Sequence, residues 1–217
     1  MLRVEFHCHT VYSHDSLTSP EALLDACRRR SIDRVIITDH NTIQGARVAK
    51  QTDPERVIIG EEIMTSEGEL LAAYVKNEVP AGLDPLETIQ RLREQGAFIS
   101  VSHPFDRLRK GHWSLPALVT ISPLVDAIET YNARCLWPRF NRAARTFAKQ
   151  YGLLGTAGSD AHTPGELGRA NLILPEFNDA STLKLALEQA QPSLFALPPW
   201  VHLSSRYAVW RKKLGNH

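Results

Sequence analysis

The chain has 217 residues, of which 43% are hydrophobic and 23% are charged, a balance typical of one globular domain with a sizeable core. Its 25 basic and 24 acidic residues give a formal net charge of +1, which excludes a general electrostatic attraction to nucleic acids or membranes. The three widely spaced cysteines, Cys8, Cys27 and Cys135, indicate neither a disulfide framework nor a thiolate zinc site. With no signal-like segment and no apolar run near the ~20 residues that span a bilayer, we expect a cytoplasmic protein with no membrane partner.

Short β-branched or apolar runs alternate with longer segments of helical period, which predicts an α/β fold with parallel strands joined by crossover helices. The predicted strands cover residues 2–7, 34–38, 56–59, 70–75, 97–101, 127–130, 153–157 and 171–174. The predicted helices cover residues 19–30, 43–50, 85–94, 138–150 and 181–189. Ser19 and Asp84 each precede a proline and are expected to cap a helix. The run Ser66, Glu67, Gly68 predicts a turn between two neighbouring strands.

Five of the predicted strands end in residues that can bind a metal. These clusters are HCH at residues 7–9, DH at 39–40, EE at 61–62, SH at 102–103 and SDAH at 159–162, and they hold five of the nine histidines. Because the C-terminal ends of parallel strands converge on one face of a barrel or sheet, we expect the clusters to meet there. The period of two in a strand puts Glu5, His7 and His9 on the same side. Imidazole and carboxylate together suit zinc, manganese or iron in a catalytic site.

The ordered motifs HCHT at 7–10, TDH at 38–40, GEE at 60–62, SHP at 102–104 and GSDAH at 158–162 resemble those of the PHP (polymerase and histidinol phosphatase) family. This resemblance covers residues 1 to about 190. It implies a distorted TIM-like (β/α)7 barrel of the PHP type over residues 1–191, followed by a C-terminal extension, 192–217, packed on the barrel. It also implies a metal-dependent phosphoesterase that holds two or three divalent ions, Mn, Zn or Fe.

The resemblance implies a role for each matching residue. The ligands of the first metal would be His7, His9 and Asp160, with Glu61 as the carboxylate that bridges to the second metal and His103 as a ligand of that second metal. A third position would take His40, His162 and a residue of the loop after the first motif, either His14 or Asp15.

One feature departs from the family pattern. Many relatives carry a histidine in the strand that here reads ELLAAY at residues 69–74, and this chain has none between His40 and His103. The second metal therefore lacks a familiar protein ligand, so that water, substrate or another side chain would complete its coordination.

Metal-bound hydroxide would attack phosphorus, and His40 or His162 would supply a proton to the leaving oxygen. Asp39 and Glu5 are expected either to orient a ligand or to make a structural hydrogen bond.

The segment after His103 is a basic loop, PFDRLRKGHW at residues 104–113. Arg107 and Arg109 are predicted to clamp a substrate phosphate, because guanidinium binds phosphate through two hydrogen bonds. The alternative is an ordinary solvated loop.

The tail from residue 204 to 217 interleaves Tyr207 and Trp210 with four cations, a composition seen in contacts to single-stranded nucleic acid. The three-residue spacing of the aromatic residues favours instead a helix stripe packed on the barrel, with the cations outward.

These patterns predict a hydrolase whose partner is a phosphorylated small molecule or nucleotide. The alternatives are a nuclease that acts on RNA or DNA ends and a metal-binding regulatory domain without turnover. Amide hydrolysis by an amidohydrolase-like barrel ranks lower, since such enzymes usually place a lysine between the metals, whereas this chain offers Glu61.

Overall fold

The computed structural model describes residues 1–215 of the protein, which fold around one β-sheet. Its nine strands are β1 (Leu2–Glu5), β2 (Arg34–Ile37), β3 (Val57–Met64), β4 (Glu69–Ala73), β5 (Phe98–Val101), β6 (Ala127–Asn132), β7 (Leu154–Gly158), β8 (Ala170–Leu174) and β9 (Gln191–Leu194). The seven α-helices in this range are α1 (Pro20–Arg29), α2 (Gln44–Thr52), α3 (Pro85–Glu94), α4 (Leu115–Ile121), α5 (Pro138–Tyr151), α6 (Ala180–Leu187) and α7 (His202–Gly215).

Seven of the strands form a nearly closed barrel. The strand order is β7-β6-β5-β4-β3-β2-β1-β8-β9. Strands β1 to β3 are parallel, as are β5 to β7, and a bridge between Cys8 and Ala161 joins the segments that follow β1 and β7. Strands β8 and β9 extend the sheet antiparallel beyond β1. The prediction of an α/β fold with a TIM-like barrel is confirmed.

Strand β4 runs against the direction of its neighbours, since it pairs antiparallel with both β3 and β5. The predicted turn at residues 66–68 therefore joins two paired strands, as expected. The start of β4 consequently lies at the same end of the barrel as the C-terminal ends of the parallel strands, so its first residue, Glu69, can reach a site at that end.

The predicted helix starts follow from local chemistry. The Ser19 side chain accepts a hydrogen bond from Ala22 N and the Asp84 side chain accepts one from Leu86 N, while a proline fills the first helical position in both cases. Helix α5 ends at Gly152, whose φ of 66° is left-handed and suits a residue without Cβ.

The C-terminal segment differs from its prediction. Tyr207 and Trp210 were expected to pack on the barrel, but they are 54% and 55% exposed, and the buried residue of α7 is the small Ala208. The prediction is wrong because the contact face of α7 is formed by small and polar side chains, which leaves the aromatic stripe in solvent. Strand β9 and helix α4 have no counterpart among the predicted elements, whereas the helical spacing in the tail corresponds to α7.

Among the described residues, no helix combines the length and the apolar composition that crossing a bilayer requires.

Candidate metal centre

A cluster of imidazoles and carboxylates fills the mouth of the barrel at the C-terminal ends of its parallel strands. The residues that meet there are His7, His9, Asp15, His40, Glu62, Glu69, His103, Glu129, Asp160 and His162. Most of the predicted site residues are among them, and three members, Glu62, Glu69 and Glu129, were not predicted as ligands.

His7 lies at the buried centre of this cluster. Its Nε2 is 3.1 Å from Glu62 Oε2 and 3.6 Å from Asp160 Oδ1, and its Nδ1 is 3.0 Å from Glu129 Oε1. Burial disfavours the charged ring, but these three carboxylates outweigh it and raise the pKa of His7 well above its ordinary value. Glu129, on β6, also accepts a hydrogen bond from His103 N. It therefore holds two of the predicted ligands in place, as a carboxylate behind a metal-binding histidine often does.

Glu62 is the carboxylate that touches most of the imidazoles. Its oxygens lie 3.1 to 3.4 Å from ring nitrogens of four histidines, His7, His9, His40 and His103. Burial opposes ionisation of Glu62, yet the charges of His7 and His40 prevail and hold its pKa well below the usual range. An ionised carboxylate at the centre of the cluster is in the position of a bridge between two ions.

The prediction that Glu61 is this bridge is wrong. Successive side chains of a strand point to opposite faces, and β3 continues to Met64 instead of ending at residue 59. Glu61 points away from the cluster: its Oε2 accepts a hydrogen bond from Val79 N, and burial raises its pKa to about 8. The sequence offered two adjacent glutamates, and only the length of β3 decides which one faces the barrel.

Glu69 brings a further carboxylate to the cluster from the strand in which the sequence lacks a histidine. Its Oε1 lies 3.6 Å from His40 Nδ1 and its Oε2 lies 3.4 Å from His103 Nε2. Its placement follows from the hairpin, because the first residue of the reversed strand β4 sits at the mouth of the barrel. The antiparallel turn at residues 66–68, which the sequence did indicate, is the signal that could have identified it.

A third group of donors forms at the outer edge of the cluster, where His9, Asp15, His40 and His162 approach one another. Asp15 Oδ2 lies 2.8 Å from His162 Nε2 and 3.5 Å from His40 Nε2. Of the two candidates in this loop, Asp15 reaches the group. His14 is exposed, and its ring centroid stays 5.0 Å from that of His40.

Asp39 and Glu5 accept hydrogen bonds from backbone N–H and hydroxyl groups around the cluster. Asp39 accepts hydrogen bonds from Thr10 N and from Ser13 Oγ, and Ser13 Oγ lies 3.1 Å from His9 Nδ1. Asp39 therefore orients His9 through Ser13. Glu5 accepts hydrogen bonds from Ser159 N and Gly168 N, and burial raises its pKa to about 7.

The two arginines predicted to bind phosphate differ in position. Arg109 reaches into the cluster, with Nη2 2.5 Å from Asp160 Oδ2 and Nε 3.3 Å from Asp106 Oδ2. Arg107 is exposed, and the structure does not bring it to the cluster. A third arginine, Arg134, was not predicted. It is buried behind Asp160, with Nη1 3.3 Å from Glu166 Oε2 and 3.4 Å from the Asp160 carbonyl oxygen.

The donor set fits divalent metal ions. His9 Nε2 and His103 Nε2 are buried nitrogens that lack a hydrogen-bond partner among the described residues, although buried polar atoms are normally paired. Both face carboxylates within 3.4 Å. Unpaired imidazole nitrogens beside ionised carboxylates are the donors that Zn²⁺, Mn²⁺ and Fe²⁺ bind. The three overlapping donor groups that the described residues form support a centre for divalent ions.

A cavity of about 470 Å³ opens beside the cluster. Asp15 and His162 form its inner wall, and Arg109 and Arg134 line it as well. Helix α7 covers one side through His202, Ser205 and other residues. A volume of this size suits a small organic ligand.

Comparison with known proteins gives the same picture. The PHP domain model matches residues 5–105, and the model of the PHP-associated region matches residues 138–188. The uncharacterized protein MJ0417 of Methanocaldococcus jannaschii is 34% identical over 181 residues, which are 82% of this chain and 72% of that protein.

Two solved structures share the fold. One is a two-domain protein of Bacteroides vulgatus containing a predicted PHP-like metal-dependent phosphoesterase, with a TM-score of 0.72 and 19% identity over 89% of this chain. This chain spans 65% of that protein, just under two thirds of its length. The other is the lesion-specific endonuclease PfuEndoQ of Pyrococcus furiosus, with a TM-score of 0.59 and 12% identity over 91% of this chain and 59% of that one. The barrel, its metal-type cluster and the two family models agree, and the chain belongs to the PHP family.

Proposed function

We propose that the protein is a metal-dependent hydrolase that cleaves a phosphoester of a small molecule or nucleotide. One observation carries the proposal: a buried cluster of unpaired imidazole nitrogens and ionised carboxylates, which Arg109 joins through Asp160, lies beside a cavity that Asp15, Arg109 and His162 line. This combination offers sites for cations together with a group that binds phosphate oxygens.

The three donor groups would hold the ions as follows. His7, His9, Glu62 and Asp160 surround one position, Glu62, Glu69, His40 and His103 surround a second, and His9, Asp15, His40 and His162 surround a third. Divalent ions bound there would neutralise charge on a phosphate and lower the pKa of a coordinated water.

The arginines supply the complementary contacts to the substrate. Arg109 carries its charge to the edge of the cluster, and Asp106 holds its Nε. Arg134 lines the same cavity, and its buried Nε has no partner among the described residues. We assign to these two guanidinium groups the binding of the phosphate oxygens, because a guanidinium forms strong, charge-assisted hydrogen bonds with phosphate.

His162 has a role that depends on the number of ions. It lines the cavity, and its Nε2 lies 2.8 Å from Asp15 Oδ2. With two ions bound, this nitrogen would carry a proton to the leaving oxygen in place of its contact with Asp15, while Nδ1 keeps its contact with the Asp160 carbonyl oxygen. With three ions bound, the same nitrogen is a ligand. One atom cannot hold both a proton and a metal, so the metal stoichiometry of the purified protein decides between the two roles.

A matched pair of variants tests the proposal. Glu62→Gln should lose bound metal and at least about a hundredfold in Mn²⁺-dependent phosphate release, since it removes the shared charge at the centre. Glu61→Gln is the control: the neighbouring residue points away, and its raised pKa leaves it largely protonated at neutral pH, so an amide should replace it with little effect. Activity would be measured on a panel of phosphate esters, with metal content measured in parallel.

Two results would contradict the proposal. One is equal loss of activity in the two variants, which would place the effect in the fold of β3 rather than in the cluster. The other is metal-loaded wild-type protein that releases phosphate from no ester in the panel, which would favour a regulatory domain without turnover.

A further inference from the structure

The C-terminal segment differs from the rest of the chain in its chemistry. Residues 192–217 contain four lysines or arginines and no acidic residue, whereas residues 1–191 contain 21 basic and 24 acidic residues. The same segment contributes two of the four tryptophans of the chain, Trp200 and Trp210. An aromatic and purely basic segment is a distinct feature of a protein whose overall charge is close to zero.

Polar contacts fix this segment over the mouth of the barrel. Arg134 Nη2 donates to Ser205 Oγ at 2.9 Å and to the Val201 carbonyl oxygen at 3.0 Å. Near the other end of α7, Lys212 Nζ donates to the carbonyl oxygens of Val11 and Ser13, in the loop that leads to Asp15. Helix α7 is therefore held against the loop that carries part of the candidate metal centre.

A groove of about 430 Å³ runs between α7 and this loop. Arg206, Trp210 and Lys213 line it on the helix side, and His14 and Asp15 line it on the loop side. Asp15 and Arg206 also line the cavity beside the cluster. The groove and the cavity are thus neighbouring spaces that share walls, and together they extend from the metal-type donors to the outer surface of α7.

The side chains in the groove are available to a ligand. Trp210 is 55% exposed, and its ring centroid lies 5.8 Å from that of Tyr207. Arg206 and Lys213 are exposed, and within residues 1–215 neither forms an ion pair through its side chain. An exposed aromatic ring between uncommitted cations can stack on a nucleic-acid base while the cations hold phosphates.

We propose that α7 and the loop at residues 10–15 form a nucleotide-binding groove. The base stacks on Trp210, Arg206 and Lys213 bind phosphate oxygens, and the ester to be cleaved lies in the adjoining cavity. This inference rests on the proposed phosphoesterase function and names its substrate class: a nucleotide, either free or at the end of a single strand.

An anionic membrane surface is the main competing partner. Exposed apolar residues repeat along α7 and the turn before it at alternating spacings of three and four residues, Trp200, Leu203, Tyr207, Trp210 and Leu214, as in helices that lie on lipid. The nucleotide fits better because Trp210 and Arg206 line a groove next to the cluster. Binding of lipid by this face would not require the groove to lie next to the cluster.

The test is equilibrium binding of two probes to chelator-treated full-length protein, so that no turnover is needed. The probes are AMP and a 5′-phosphorylated trinucleotide. Trp210→Ala and Arg206→Ala should each weaken binding by about tenfold, the size expected for loss of one stacked base or one charged contact. Trp200→Ala and Arg211→Ala are the matched controls, because these residues belong to the same segment but do not line the groove. They should weaken binding less than twofold.

The two arms identify the source of the nucleotide. Equal affinity for both probes indicates a free nucleotide, and a preference for the trinucleotide indicates a strand end; either outcome supports the groove. Equal losses in the groove variants and their controls would overturn it. So would Trp210-dependent binding to phosphatidylserine vesicles without binding of either nucleotide probe. Because binding is measured without catalysis, a protein that binds nucleotides but hydrolyses no phosphoester contradicts the proposed function and leaves the groove supported.

Discussion

Glu69 shows how one side chain can change the character of a metal centre. It brings a carboxylate to within 3.6 Å of His40 Nδ1 and 3.4 Å of His103 Nε2, from the strand in which the family resemblance implies a histidine. Burial raises the pKa of Glu69, and the nearby charge of Glu62 adds to this effect. A bound cation would offset both, because it favours the ionised carboxylate. An oxygen donor at this position also favours Mn²⁺ over the softer Zn²⁺.

Replacing Glu69 should therefore alter metal preference. For Glu69→His we expect affinity for Mn²⁺ to fall by about tenfold or more relative to that for Zn²⁺, in the range found when groups that tune a metal site are changed. Titration calorimetry with both metals measures the ratio. Glu67→His is the control, because Glu67 is an exposed residue of the turn that precedes Glu69. An unchanged ratio in Glu69→His would show that Glu69 does not contact the metal.

At the level of single residues, the sequence identified ligands that belong to motifs and missed those that do not. His7, His9, His103 and Asp160 could be predicted because each follows a short apolar run. Glu129 lies within β6, in the run Ala127–Asn132, and nothing in that run distinguishes a buried carboxylate from an exposed one. Only the pairing of β6 with its neighbours shows that it faces the cluster.

At the level of elements, Asp126 lies just before β6 and links that strand to three other elements: α3, β5 and α6. It accepts hydrogen bonds from Arg93 of α3 at 2.6 Å, from Ile99 N of β5 at 2.9 Å and from Lys184 of α6 at 3.1 Å. Burial opposes ionisation of Asp126, but these donors outweigh it and lower its pKa. The lowered pKa means that the ionised form stabilises the folded state.

The stabilisation by Asp126 should depend on pH. A carboxyl group with a lowered folded-state pKa contributes fully above its unfolded pKa, about 3.9, and loses its contribution as the pH falls through the folded value. Asp126→Asn should therefore lower the free energy of unfolding by about 1–3 kcal/mol at pH 7, and the difference from wild type should shrink below about pH 4. Urea unfolding of chelated protein at several pH values measures this.

Asp25→Asn serves as the reference for that measurement. Asp25 pairs with Arg28 at 2.8 Å on the surface, where both side chains are about half exposed, and such pairs contribute less than about 1 kcal/mol. A pH-independent difference between Asp126→Asn and wild type would show that packing, not ionisation, accounts for the effect.

Elements with a strong repeating pattern could be predicted, and those that depend on tertiary pairing could not. The helix at residues 85–94 was predicted with its observed bounds, because Asp84 and Pro85 mark its start. Strand β9 was missed because Pro192 and polar residues interrupt it, and it forms by pairing with β8 at the edge of the sheet. The spacing of Tyr207 and Trp210 did indicate helix α7, but not its orientation, because only the folded chain shows that this stripe faces solvent.

At the scale of the whole molecule, the cluster draws side chains from most of the barrel. His7 and His9 follow β1, Glu62 lies on β3, His103 follows β5 and Asp160 follows β7. Ions bound between them would connect segments that are distant in the sequence, and these donors come together only in the folded chain. Metal binding should consequently stabilise the fold as a whole.

Removal of the metal should lower the melting temperature. A ligand at about one hundred times its dissociation constant stabilises a protein by about 2.7 kcal/mol, which corresponds to about 5–10 °C for a chain of this length. We expect a shift of this size between Mn²⁺-loaded and chelated wild-type protein in thermal unfolding followed by circular dichroism. Glu62→Gln should lose most of the shift, whereas Glu61→Gln should keep it, because only Glu62 joins the donor groups. If chelation left the melting temperature of the wild type unchanged, the cluster would not couple metal binding to folding, and its role would be confined to the local site.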